Sequence, residues 1–502
     1  MRSVLVAAGI IASANGALAQ GADTALARLP AVAVTATRSE LPAKSQPISV
    51  TVFDRAAINA SGARDVADLL RLVPGASVVS SGSFGSQTAL FMRGGESDYV
   101  QVLVDGVPLN TPGGAYDFGQ LTLDNIERVE VVRGPASVLY GSDAVSGVVQ
   151  IFTRTGSRSP GLTGHVGGGT YGTWDYGLGA IGGRARLQWS LDATRHLTNG
   201  IYPFNSFYRD DVLSGAWRLR GARGDLGMST RITKSTFHYP TNSAGVPEDS
   251  NAFTHENREV LSADGGWKLT QRVTLRARAA HDLAQPSTTD LADNAADQDV
   301  FTSKGSVTRN LLEGRAIVRI HDAHELTLSV DRARDHEVSS FHSESAFGPF
   351  DGDLTATRTT TGIAGQLLGN LGKKSTYTVG LRRDDNSAFG EFTTWRLAAA
   401  TQLSPTVSVR ASGGTAFKAP SFFENFATGF VTGNPGLTPE RTRTFEAGLE
   451  YSTPSRRGTL GVTAFAQRFR DLIQYVSVVP ANTPNYANLA AASANGVETE
   501  LA

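Results

Sequence analysis

From about Gly161 onward, apolar and polar positions alternate with a period of two. The stretch 184–194 shows this most cleanly, with Ala185, Leu187, Trp189, Leu191 and Ala193 interleaved with Arg186, Gln188, Ser190, Asp192 and Thr194. Successive side chains of a strand point to opposite faces, so the run predicts one greasy face and one charged face. The dyad recurs at Val273, Leu275 and Ala277, at Leu326, Leu328 and Val330, and at Val407, Val409 and Ala411. In a soluble sandwich the apolar face packs on a second sheet. In a transmembrane barrel it meets lipid, while the polar face lines a wet lumen. Arginines recurring on the polar face favour the barrel, and at about ten residues per crossing roughly 16 strands fit.

Connections alternate in length. Short turns are predicted at Gly182-Gly183, 221–224, Asp322-Ala323, 372–374 and Ser404-Pro405. Longer loops fall at 198–206, 237–257, 284–299, 335–353 and 417–440. Outer-membrane barrels divide periplasm from exterior in this way.

The chain before Gly161 has a different texture. Three β-branched runs (102–104, 129–132 and 148–152) alternate with the turn residues Asp105-Gly106, Arg133-Gly134-Pro135 and 140–143. Residues 48–53 predict another strand. Residues 65–72 predict a helix, with Val66, Leu69, Leu70 and Val73 at helical spacing and Pro74-Gly75 as the stop. Residues 78–87 are small and polar and predict a loop, and 110–120 predict a second one. A small mixed α/β domain over 46–156, ahead of a barrel domain over 157–502, predicts a plug in the lumen.

Composition narrows the compartment. Among 502 residues, Lys+Arg (46) and Asp+Glu (47) nearly cancel, so no basic surplus points to nucleic acid. Cysteine is absent, which removes a disulfide framework and Cys-based zinc sites. The mean hydropathy of −0.16 suits a barrel in which every second residue meets lipid. Residues 1–19 carry Arg2, an apolar run over 4–12 and Ala17-Leu18-Ala19, the pattern of a cleaved signal peptide. Residues 20–45 predict a flexible lead. Within it, the alternating run 31–38 suits pairing with the sheet edge of another protein, although a plain linker fits its composition equally well.

Catalytic motifs are missing. Gly167, Gly169 and Gly172 satisfy GxGxxG, but no helix follows, so they are expected to be strand glycines. GxSxG, Walker and HExxH arrangements do not occur, so neither an enzyme nor a cofactor is expected.

The chain resembles the TonB-dependent outer-membrane receptors. The resemblance rests on AVAVTATR (31–38), LLRLVPG (69–75), FMRGG (91–95), VLVDGVPLN (102–110) and IERVEVVRGPASVLYGSDAVSGVVQI (126–151). In the barrel it rests on RRDDNSAFG (382–390), GTAFKAPSF (414–422), GNPGLTPERTRTFEAG (433–448) and GVETE (496–500). Within the family, DDNSAFG and GTAFKAP look most like the cobalamin transporters.

The resemblance implies an antiparallel transmembrane β-barrel of about 22 strands around a plug. The roughly 16 strands counted here would then leave the barrel C-terminally incomplete, since open strand edges in lipid are costly. It also implies a monomer in the bacterial outer membrane that takes up cobalamin, or alternatively a ferric siderophore, with TonB and its inner-membrane energising complex as partner. A passive porin or adhesin barrel is the reading from another class.

The resemblance makes Ala31, Val32, Ala33, Val34, Thr35 and Ala36 a TonB box. By motif position it pairs the plug arginines Arg93 and Arg133 with the barrel glutamates Glu446 and Glu498. Ligand contacts are expected from plug apices, with Ser83, Phe84, Tyr116, Asp117 and Phe118 as candidates, and from the loop aromatics Tyr202, Phe207, Tyr239, Phe347 and Phe426. Equally, such aromatics form interfacial girdles. Some cobalamin receptors bind calcium in acidic outer loops. Here the loop after Thr198 offers only Asp210 and Asp211, whereas Asp290, Asp293, Asp297 and Asp299 cluster in a later loop as oxygen-rich calcium candidates.

Overall fold

The computed structural model describes residues 33–34, 41–42, 47–157, 159–242, 245–294, 299–346, 348–429, 431–455, 458–480 and 483–501. The expected signal peptide, most of residues 31–38, Asp297 and Phe347 lie outside them. A two-residue ladder joins β1 (Ala33–Val34) to β2 (Leu41–Pro42).

The plug is built on a five-stranded mixed sheet in the order β3 (Ser49–Asp54), β8 (Ile126–Arg133), β9 (Gly147–Thr153), β6 (Val100–Val104) and β7 (Val107–Pro108). Only the β6–β9 pair is parallel. Val102, Val129, Val131 and Val149 are fully buried, which is why their runs read as near-continuous apolar strands. Helix α1 (Arg55–Ser61) starts on the Asp54 carboxylate and ends at Gly62, where φ is 69°. Helix α2 (Val66–Leu70) is capped by Asp65, which accepts from Asp68 N at 2.8 Å, and it buries Val66, Leu69 and Leu70 against the sheet. A third short helix is α3 (Ser137–Tyr140). The predicted 78–87 loop is partly a hairpin, because β4 (Ala76–Ser80) pairs with β5 (Thr88–Met92) around a tip at 81–87. Leu90 and Met92 anchor it in the core, and its small residues hid the ladder.

The second domain is one antiparallel sheet of sixteen strands, each bonded to its sequence neighbours. They are β10 (Gly161–Gly169), β11 (Thr173–Arg184), β12 (Leu187–Thr198), β13 (Tyr208–Arg220), β14 (Gly224–His238), β15 (Phe253–Lys268), β16 (Val273–Asp290) and β17 (Val300–His321). The series continues with β18 (His324–Glu344), β19 (Phe350–Leu371), β20 (Ser375–Asn386), β21 (Gly390–Gln402), β22 (Val407–Lys418), β23 (Glu440–Ser452), β24 (Thr459–Tyr475) and β25 (Tyr486–Leu501). β10 and β25 end the sheet with no ladder between them among the described residues, so the barrel is not closed. The dyad resolves as its chemistry requires: on β12, Leu187 and Leu191 are 43% and 45% exposed on the outside, while Ser190 between them is fully buried toward the plug.

Two sets of boundaries differ from those predicted. Gly182 and Gly183 stay in β11, where the Trp189 ring and Leu187 O leave no room for a Cβ. The turn falls instead at Ala185-Arg186, with Ala185 at φ 49°. The predicted loops at 237–257 and 284–299 shorten to the connections 239–252 and 291–299, and 335–353 is largely strand: β17, β18 and β19 run 22, 21 and 22 residues. At ~3.3 Å per residue these reach about 70 Å, well beyond a hydrocarbon core of about 30 Å even when tilted. A ladder satisfies its own backbone groups in water as in lipid, so polar residues did not stop it. The connection after β22 carries α4 (Phe422–Phe426), started by a capping box between Ser421 and Glu424.

Candidate functional site

Plug and wall meet at both ends of the lumen and along the seam between. At the inner end, Arg93 follows β5 in the left-handed region (φ 52°) and Arg133 ends β8. Arg93 donates through Nη1 to Glu446 Oε2 at 2.7 Å. Its Nε and Nη2 hold both oxygens of Glu498 at 2.8 Å, with the Phe465 ring 5.0 Å beneath. Arg133 Nη1 reaches Glu498 Oε2 at 3.1 Å and Nη2 reaches Glu500 at 3.2 Å. The side chains of Arg93, Glu446 and Glu498 are 0%, 2% and 5% exposed, so each charge depends on the others for its solvation. Burial alone would lower the Arg93 pKa; the hydrogen bonds and charges of Glu498 and Glu446 outweigh it and raise it. The structure therefore brings Arg93, Arg133, Glu446 and Glu498 into one cluster and adds Glu500. Gly75 passes against the Glu498 carboxylate at φ 73°, an approach only a residue without Cβ permits.

At the outer end, the tip of the β4–β5 hairpin meets the wall. Phe84 stands edge-on to Tyr208 with centroids 5.0 Å apart, and the Arg64 guanidinium lies 5.2 Å from the Phe84 ring centroid. Ser83, half-buried, accepts Ser86 N through its carbonyl at 3.0 Å. Tyr116 is edge-on to Phe118 at 5.2 Å, and Arg258 from β15 sits 5.3 Å from the Tyr116 centroid. Burial pushes the Tyr116 phenol up. Asp117 Oδ1 accepts from Thr88 N at 2.8 Å and Gly119 N at 2.9 Å. Burial pushes its carboxyl up in spite of these bonds. Phe118 is 2% exposed, and its ring packs inside the plug core.

The loop aromatics largely pair locally: Tyr202 with Phe204, Phe207 with His238 and Phe426 with Phe422, while Tyr239 OH bonds Thr254 at 2.6 Å. Asp293 Oδ1 ties two loops by accepting from Ser250 N at 2.8 Å and Asn251 Nδ2 at 2.9 Å. Asp290 closes β16, and Asp299 lies just before β17. Among the described residues, no group of three His, Asp or Glu is placed to hold a metal.

Sequence reasoning missed most of the seam. Four wall arginines grip plug carbonyls: Arg231 holds Asp124 O at 2.9 Å and Thr122 O at 3.2 Å, Arg258 holds Leu109 O, Arg309 holds Asn110 O at 3.2 Å and Arg396 holds Pro135 O at 2.7 Å. Carbonyl acceptors leave no trace in a sequence. His196 bridges plug and wall, with Nε2 2.8 Å from Asp124 and Nδ1 2.9 Å from Asp175. Lys418 pairs with plug Asp98 at 3.0 Å, and plug Tyr99 OH donates to Glu440.

Residues 42–148 match the model of the TonB-dependent receptor plug domain, and residues 173–502 match the TonB-dependent receptor-like β-barrel. The vitamin B12 transporter BtuB of Vibrio vulnificus strain YJ016 is 28% identical over 93% of this chain and 75% of its own length. That of strain CMCP6 is 27% identical over 88% and 70%. Among solved structures, the ferric yersiniabactin uptake receptor FyuA from Yersinia pestis superposes with a TM-score of 0.74 at 17% identity, covering 91% of this chain and 76% of that one. The ferripyoverdine receptor of Pseudomonas aeruginosa gives 0.74 at 15% identity, covering 93% and 70%. A mixed plug domain followed by a lipid-facing antiparallel wall, each matched by its own model, makes this chain a member of the TonB-dependent receptor family.

Proposed function

We propose that this chain imports a large, scarce ligand across the outer membrane under TonB-transmitted force, and that the ligand is cobalamin. The observation that carries the transport reading is the charged inner seam. A lumen stopper held by the buried Arg93, Arg133, Glu446 and Glu498 cluster blocks passive flow, and force must move it before a ligand passes. A passive porin has no use for such a seam. Residues 31–38 are the handle for that force, an alternating run suited to adding a strand to TonB's sheet. The substrate reading rests on the sequence relatives named vitamin B12 transporters, which align along most of the chain. The siderophore receptors among the solved structures support the fold alone.

Ligand first meets Phe84, Tyr116 and Asp117 at the outer end, aromatic surface with a few polar groups, as large amphipathic ligands require. Titrating the purified protein with cyanocobalamin and with a panel of ferric siderophores tests the substrate. Nanomolar binding of cyanocobalamin alone is expected. Tight binding of a ferric siderophore without cyanocobalamin would replace the substrate and leave the transport reading standing.

A further inference from the structure

Between the plug loop 115–121 and the wall strands β14–β16 lies a cavity of about 220 Å³, lined by Tyr116, Asp117, Gln120, Arg231, Glu256 and Arg258 among others. Its charges are not equivalent. Arg258 is committed, since its Nε and Nη2 hold the Asp282 carboxylate at 2.9 and 2.8 Å while Nη2 also donates to Leu109 O. Arg231, only 5% exposed, spends both terminal nitrogens on Thr122 and Asp124, but its Nε has no partner. A buried, unpartnered guanidinium N–H is costly to leave unmade and marks a place for an acceptor. Two carboxylates line the same cavity. Asp117 uses Oδ1 for the backbone, and the Glu256 side chain is 26% exposed, 3.7 Å from Arg258.

One acceptor position beside two anionic acceptors fits few groups. A ligand carboxylate would set its charge against Asp117 and Glu256, and an ammonium would set its own against Arg231 and Arg258. A primary carboxamide presents a carbonyl to the Arg231 Nε–H and two N–H donors to the carboxylates, satisfying all three. We propose that this cavity is a subsite for a neutral primary carboxamide of the ligand, with Arg231 and Glu256 as specificity-determining wall residues. The proposal rests on the import reading for its role. Its chemistry is testable without that reading.

The test uses the full chain in detergent and saturation-transfer NMR with propionamide, propionate and propylammonium at matched concentration. Wild type is expected to bind propionamide roughly tenfold or more tighter than either ion. Glu256→Gln should narrow the gap between amide and carboxylate by roughly tenfold. Arg231→Met should weaken propionamide, and if that variant fails to fold, Glu256→Gln decides alone. Equal binding of propionamide and propionate to wild type, or a Glu256→Gln protein with an unchanged ratio, overturns the subsite. If propionamide behaves as expected while cyanocobalamin does not bind, the subsite stands and the cobalamin reading falls.

Discussion

Single side chains decide whether the plug stays in place. Arg93 is enclosed by Glu446 and Glu498 with essentially no water contact, so removing one partner strands a buried charge. Arg93→Met should cost about 3–5 kcal/mol of plug retention. Hydrogen exchange on β5 and β8 would read this as loss of protection. The double variant with Glu446→Gln should lose less than the sum of the two single changes, because the pair shares one interaction.

Asp124 gives a pH test. Burial would raise its carboxyl, but the hydrogen bond and charge of His196, with help from Arg231 and Thr122, hold it well below the ordinary 3.8. A group depressed in the folded state contributes stability above its unfolded pKa and loses it as pH falls through the folded one. Wild type should therefore exceed Asp124→Asn in thermal stability at neutral pH. The gap should begin to close as pH drops below 3.8. A gap that holds constant from pH 7 to pH 3 would contradict the His196 bridge.

At the scale of elements, packing overrides composition in short segments and follows it in long ones. The five-residue helix α2 depends on its cap, so Asp65→Ala should cost about 1 kcal/mol, measurable as a lowered denaturation midpoint of the plug. Gly85 has φ 89° and lies against the Tyr208 ring. Gly85→Ala should displace the 81–87 tip and weaken ligand binding while leaving the barrel dyads and heat-resistant mobility on gels unchanged.

The dyads of β12, β16, β18 and β22 and the β-branched plug strands were legible because period-two burial is written in residue type. The β4–β5 hairpin was not, since serine and glycine signal a loop whether or not a neighbour pairs with them. Nor were the ends of β17–β19, where ladder bonds alone carry the strands past the membrane. At the site, the placing of Arg93 and Arg133 beside Glu446 and Glu498 was legible through their motifs. The grips of Arg231, Arg258, Arg309 and Arg396 were hidden because their acceptors are backbone. The burial of Phe118 was hidden because an aromatic in a predicted apical loop carries no mark of which way it turns.

Taken whole, the molecule is a wall with a greasy exterior around a stopper fastened by charge at its inner end and by aromatic contacts and arginine–carbonyl bonds elsewhere. The two domains differ in how they hold. The wall is a continuous ladder that force along the chain loads strand by strand, whereas the plug meets it through separable polar contacts. Such an arrangement lets the stopper yield while the wall stays intact. The central claim is that passage requires force on the N-terminal segment. Cells expressing the chain with and without residues 31–38 should be compared for surface binding and internal accumulation of radiolabelled cyanocobalamin. Deletion is expected to leave binding unchanged and abolish accumulation. Accumulation that persists at the undeleted rate would contradict it.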